Sequence, residues 1–278
     1  NVRAERMIDV KGSFILKSLL VLVFLCPGLV QGSTAKPKPS PVPTSPADSF
    51  WVKFFGGTSF SGGYAVAPSS DGGGAAVGYS FFPDQSAPRT WVIRLSPGGV
   101  KRWEKTFEGA IHGSEDYAIC PAADGGFAAL MPKQIIDRGM IMRGVEMRLV
   151  RFSEDGRILW DKAITGKAPR LQAVAAASDG GFFLGGFDGH QVGTSALAAW
   201  IVKVDDQGNK VWDRHLRGAG SIDRGSAIMA TADNGCVFAY TVWNEGISLV
   251  RLNATGSVSW ERSYVLEPEK SRGTRTDF

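Results

Sequence analysis

From Phe50 to Tyr264 the apolar residues fall in short runs, and no stretch repeats at the 3.6-residue spacing of a helix face. "WVIRL", "MRLVRF", "AWIVKV" and "ISLVRL" mix β-branched and aromatic residues with single charges. Gly, Asp, Asn and Ser cut in after each run. Runs of this length bounded by turn formers predict β-strands. Asp-Gly and Asn-Gly supply the positive backbone angles of two-residue hairpins, so "ADGGF" and its counterparts are expected to join paired antiparallel strands that way.

The runs repeat. "RLSPGGVKRW", "RFSEDGRILW", "KVDDQGNKVW" and "RLNATGSVSW" each place a Gly (Gly99, Gly156, Gly208, Gly256) four residues before a Trp. A basic residue (Arg94, Arg151, Lys203, Arg251) stands five before the Gly. A second marker opens at Asp71, Asp124, Asp179 and Asp233, at intervals of 53, 55 and 54 residues. Two markers in phase identify an internal repeat. Each unit divides into four strands. In strand order a, b, c, d, a Gly turn joins a to the Trp-bearing b, and the Asp-Gly turn joins c to d. The fold class expected is therefore all-β, a β-propeller of four-stranded blades with about four units visible. Starting from a, the chain opens on b, c and d, runs through three whole units and closes on a and b. If the terminal strands share one blade, the count is four with one b strand left over. An open array would expose unpaired edges, which favours an incomplete ring.

The order apolar residue, Asp or Asn, two residues, Gly, three residues, Trp is similar to the tryptophan-docking repeat of quinoprotein-type (PQQ-like) propellers, and "LNATGSVSW" is the closest match. The resemblance implies that Trp103, Trp160, Trp212 and Trp260 lock adjacent blades together. The "SDGGFFLGG" half more resembles a broad group of secreted bacterial propeller repeats with no common activity. In quinoprotein dehydrogenases a quinone and a calcium ion are held by acidic residues, an Arg and often vicinal cysteines. This chain has no adjacent Cys pair, and no counterpart of those carboxylates can be placed, so the resemblance carries fold and no catalytic residue.

Four segments follow. Residues 1–35 read as an N-terminal extension and signal peptide: from Met7 a basic stretch precedes the apolar "SLLVLVFLCPGLV" and the small residues "QGSTA". Pro27 and Gly28 interrupt the apolar run, which is shorter than the roughly 20 residues of a spanning helix, so no stable membrane span is expected after cleavage. Cys26 lacks the small preceding residues of a lipidated Cys. Residues 36–49, with "KPKPSPVPTSP", read as an extended Pro-rich linker. Residues 50–264 are the repeats and 265–278 a tail. The expected location is secreted or periplasmic, with a cell-surface association open.

Composition adds little chemistry. The 44% hydrophobic content can build a core, and 35 glycines suit tight turns. The charge of +4 owes much to the N-terminal segment and marks no nucleic-acid site. His112, His190 and His215 share no ligand spacing, so no metal site is expected. Each Asp before Gly serves its own turn rather than calcium. Cys120 and Cys236 occupy different units and strand positions and read as small buried hydrophobes. No G-x-S-x-G elbow occurs. Asn253 fits a glycosylation sequon but belongs to a tight turn. Hence no cofactor, metal or catalytic residue is assigned, and the chain reads as more scaffold than enzyme.

The strand d to strand a connections differ in length and chemistry, and such loops on a fixed frame are where recognition is placed. The middle one, Pro132 to Glu146, carries Ile135, Ile136, Met140, Ile141 and Met142 with Arg138 and Arg143. It reads either as a partner-binding loop or as a long hairpin on its own blade. The function expected is an interaction or structural module that binds another protein or a surface polymer. The alternative is a quinoprotein-like or lyase-like propeller enzyme with a site assembled from scattered loop residues.

Overall fold

Turn chemistry decides where each strand stops. The computed structural model describes residues 53, 55, 61–82, 87–136, 142–167, 169–189, 198–216, 222–242 and 246–265. The signal, linker and tail expectations lie outside these, apart from Val265. The described residues form sixteen strands in four antiparallel four-stranded sheets. The first sheet comprises β1 (Ser61–Pro68), β2 (Gly74–Ser80), β3 (Arg89–Leu95) and β4 (Lys101–Phe107). The second holds β5 (Ala118–Pro121), β6 (Phe127–Ile136), β7 (Met142–Phe152) and β8 (Ile158–Ile164). The third holds β9 (Arg170–Ala176), β10 (Phe182–Asp188), β11 (Ala198–Val204) and β12 (Lys210–Leu216). The fourth holds β13 (Ile222–Ala230), β14 (Cys236–Val242), β15 (Gly246–Leu252) and β16 (Val258–Tyr264). This is the all-β propeller-type architecture that the repeats imply.

The blade boundary differs from the reading that begins each unit at strand a. Every sheet is a consecutive run in the order c, d, a, b, so β15 and β16 pair with β13 and β14, not with strands from the start of the chain. A tandem repeat has the same sequence period wherever it is cut. Pairing chooses the cut that keeps each sheet contiguous.

The Asp-Gly turns also differ in kind. In the second sheet Ala122 N donates to Gly126 O (2.9 Å) and Gly125 N to Ala122 O (3.1 Å), which leaves a three-residue loop rather than two. Only Gly125 is left-handed there, with φ 84°. A type I turn followed by one left-handed residue needs a single positive angle, whereas the expected two-residue turn needs two.

Packing runs from sheet to sheet. The first strands lie side by side, β1 against β5, β5 against β9 and β9 against β13. Among the described residues no strand of the fourth sheet packs extensively on the first. Alternate residues of one strand therefore serve two neighbours. Phe127, Ala129 and Met131 of β6 pack towards the first sheet, while Ala128 and Leu130 pack towards the third. Alternation of this kind requires both faces to be apolar, which explains the continuous apolar runs in β6 and β10. Cys120 and Cys236 are buried in different cores and unpaired, and burial pushes both thiols up to about 12.

Candidate functional site

The Trp side chains fasten the array. Trp103 Nε1 donates to Glu154 O (2.8 Å), Trp160 Nε1 to Asp206 O (2.9 Å) and Trp212 Nε1 to Ala254 O (3.0 Å), in each case across to the second residue of the a–b turn of the next sheet. The ring also covers the turn glycine. A Cβ on Gly156 would lie 2.7 Å from Trp103, one on Gly208 2.9 Å from Trp160, and one on Gly256 2.8 Å from Trp212. The same glycines have φ of 85°, 77° and 76°. Two demands thus fix glycine: a left-handed backbone and a flat surface for the indole. Trp260 departs from the expectation. No further sheet lies beside it among the described residues, it is 38% exposed, and the whole of β16 is exposed.

At the same end of the sheets, each c–d turn, Asp-Gly in three sheets and Asp-Asn in the fourth, receives a cation from strand a. Arg94 meets Asp71 (2.8 Å), Arg151 meets Asp124, Lys203 meets Asp179 (2.7 Å) and Arg251 meets Asp233 (2.7 Å). Arg94, Arg151 and Lys203 are buried. Asp71, Asp124 and Asp179 also accept from the amides of Gly73, Gly126 and Gly181, so each Asp serves its turn as expected and holds a buried cation as well. Two of these cations lie over the next sheet's aromatic ring, Arg94 over Phe127 (5.5 Å) and Arg151 over Phe182 (5.9 Å).

These pairs set an acid limit. The Arg94 hydrogen bond, followed by the Gly73 amide, brings the Asp71 carboxyl down to about 2. At Asp124 burial pushes upward, but the Arg151 hydrogen bond and the Gly126 amide outweigh it and the net direction is down. A carboxylate whose pKa is depressed on folding contributes stability above its unfolded value of roughly 4, and that contribution disappears as pH falls through the folded value. The thermal midpoint should therefore be flat above roughly pH 5 and drop steeply from there towards pH 2. A calorimetric series over pH 2–7 that shows no such drop would reject the role given to the clamps.

The opposite end of the sheets carries the d–a connections. Pro132 to Glu146 is mostly not a loop: β6 and β7 pair out to Ile136↔Met142, and Lys133 faces Glu146 across the ladder. The β-branched Ile135, Ile136 and Val145 suit extended pairing, and the two strands continue past the length reached in the other sheets. Gln134 N donates to Gly109 O (2.7 Å), which rests the hairpin on the segment after β4. Ile135 and Ile136 are 43% and 51% exposed near its tip. Arg138, Met140 and Ile141 lie outside the described residues. Met142 and Arg143 belong to β7 by their backbone.

Two polar groups at this end carry no repeat signal and escape the sequence reading. Asp116, 1% exposed, accepts from Ser114 Oγ (2.9 Å), Arg170 Nε (2.5 Å) and Gln172 Nε2 (3.1 Å), and so bridges the second and third sheets beside the first strands. Arg170 is half-exposed, and a guanidinium oriented by a buried carboxylate can present its other N–H groups to an anion. Asp188, also buried, meets His215 Nε2 at 3.1 Å, and the His215 ring stacks on Trp200. Among the described residues no three His, Cys, Asp or Glu side chains converge in a metal-binding group.

Comparison with known proteins yields likeness of architecture only. No family model and no curated protein matches the sequence. Among solved structures the chain is similar to a subtype N10 neuraminidase-like protein of A/little yellow-shouldered bat/Guatemala/060/2010, with 15% identity and a TM-score of 0.47 over 72% of this chain and 58% of that one. Cobalt-substituted Synechocystis ACO gives 13% identity and a TM-score of 0.42 over 73% of this chain and 49% of that one. Pyrococcus horikoshii acylaminoacyl peptidase gives 10% and 0.43 over 73% and 32%. The chain thus spans about half the length of the first two structures. These are β-propeller proteins, and no feature of the comparison points to a quinone.

Proposed function

We propose that the chain is an exported interaction module that holds a macromolecular partner on the β6–β7 hairpin. The observation that carries this reading is the hairpin itself, whose strands of 10 and 11 residues outrun the 7 residues of β10 and β11 and end on exposed Ile135 and Ile136. Apolar side chains at the tip of a projecting hairpin gain little for folding, and burial against a partner gives them a use. The docked sheets provide the rigid base that such presentation requires. The signal-like segment and Pro-rich spacer in the sequence support export and distance from a surface.

The test is capture of partners by the mature protein against a variant with residues 134–144 replaced by Gly and Ser. Loss of capture with an unchanged thermal midpoint is expected, and undiminished capture overturns the reading. A stoichiometric quinone or calcium ion accompanied by dehydrogenase activity would overturn the non-catalytic part.

A further inference from the structure

At the turn end of the sheets, opposite the hairpin tip, the junctions are closed by different side chains. Between the third and fourth sheets Ser178 Oγ donates to Asn234 Oδ1 (3.1 Å) and Asn234 Nδ2 donates to Asp179 Oδ2 (2.8 Å), so consecutive Asp turns are tied together. In the first sheet Arg102 lies at Asp71 (3.2 Å) as a second cation beside Arg94. The equivalent positions around the second and third sheets are Ala123 for Ser178, Gly180 for Asn234 and Leu159 for Arg102. None of the three can make either contact.

The result is a cleft of about 440 Å³ between the two sheets. Leu159, Trp160 and Phe182 give it apolar walls, and Asp124, Arg151 and Asp206 supply its charges. Leu159 is 44% exposed, although its neighbour Trp160 is docked. Asp124 already neutralises Arg151, and the Asp206 carboxylate receives no hydrogen bond among the described residues. The cleft therefore carries one negative charge in excess beside an apolar wall. A volume of that size accommodates a small ligand rather than a peptide.

We propose that this cleft binds a small organic cation, its flat apolar part against Leu159 and Trp160 and its ammonium group at Asp206, the carboxylate that Arg151 does not neutralise. The charge supplies orientation and the apolar wall most of the contact area. Neutral analogues of the same shape would lose the electrostatic part.

The probe is 2-phenylethylamine, titrated into the isotope-labelled mature protein while the Trp160 indole and Gly180 amide resonances are followed. Saturable shifts at both are expected, with 2-phenylethanol binding at least about fivefold more weakly and Asp206→Asn costing about threefold. Two variants rebuild the closures found elsewhere in the chain. Ala123→Ser with Gly180→Asn copies the Ser178–Asn234 tie. The backbone permits it, because Asn234 itself sits at φ 63° and a Cβ on Gly180 (φ 86°) meets only Asp206 Cβ at 3.5 Å. Leu159→Arg copies Arg102 and needs no change of turn, so it remains informative if the double variant fails to fold. Each should weaken the amine at least about tenfold with the β-sheet circular dichroism intact. Shifts that do not saturate in the wild type, an alcohol that binds as well as the amine, or unchanged binding in both closures overturns the proposal.

Discussion

Trp160→Ala should lower the unfolding free energy by about 3–5 kcal/mol, the cost of removing a large aromatic and leaving its cavity. The same change at Trp260 should cost no more than about 0.5 kcal/mol, the scale of a surface substitution. The two residues share one repeat position, four residues after a turn glycine, so the contrast isolates the next sheet. Trp160 has the Asp206 carbonyl and the Gly208 surface to dock on, whereas Trp260 lies on an exposed strand. Urea denaturation of both variants measures the difference. Equal losses would mean that the indole stabilises its own sheet and that docking contributes nothing.

Gly208→Ala should cost about 2–4 kcal/mol, of which about 1–2 comes from holding an L-residue in the left-handed region. The remainder comes from displacing Trp160 and Lys162, whose ring and Cγ would lie 2.9 and 2.8 Å from the new Cβ. Gly113→Ala is the control: its φ is 73°, and no atom lies within 4 Å of the added Cβ, so only the backbone part should appear. In a Trp160→Ala background the penalty at Gly208 should fall but stay above that of Gly113, because the indole is gone while Lys162 Cγ still lies 2.8 Å from the new Cβ. Additive losses in the double variant would reject the plug-and-socket contact.

Much of this frame is legible in the sequence because each sheet repeats its own punctuation. The Gly before Trp and the Asp before Gly locate two turns per sheet, and the apolar runs between them locate the strands. The docking target of each Trp is less legible, since Trp103 and Glu154 are 51 residues apart and only the fold brings them together. The resemblance supplied the role of the Trp residues, and the structure supplied the partner. The Asp clamps were half visible: Arg151 and Asp124 were both repeat markers, but a marker of phase does not say which marker it touches. Asp116 has no acidic residue at the same distance from the Asp turn in the other units, and although Arg224 stands where Arg170 does, nine residues before its turn Asp, the period does not say that Arg170 meets Asp116. The hairpin beyond Pro132 admits two readings in the sequence because its mixed polar and apolar residues suit both a strand and an irregular loop with apolar anchors.

The contiguity of each sheet has a consequence for how the chain can change length. Plug and socket are the same from one sheet to the next, so a cassette of one full period can be removed or duplicated and the indole on one side still meets a glycine turn on the other. Growth or shrinkage by whole sheets then preserves every junction except the one where the uneven side chains differ. The architecture is in that sense additive, and individual junctions such as the one between the second and third sheets can diverge without forcing change on the rest.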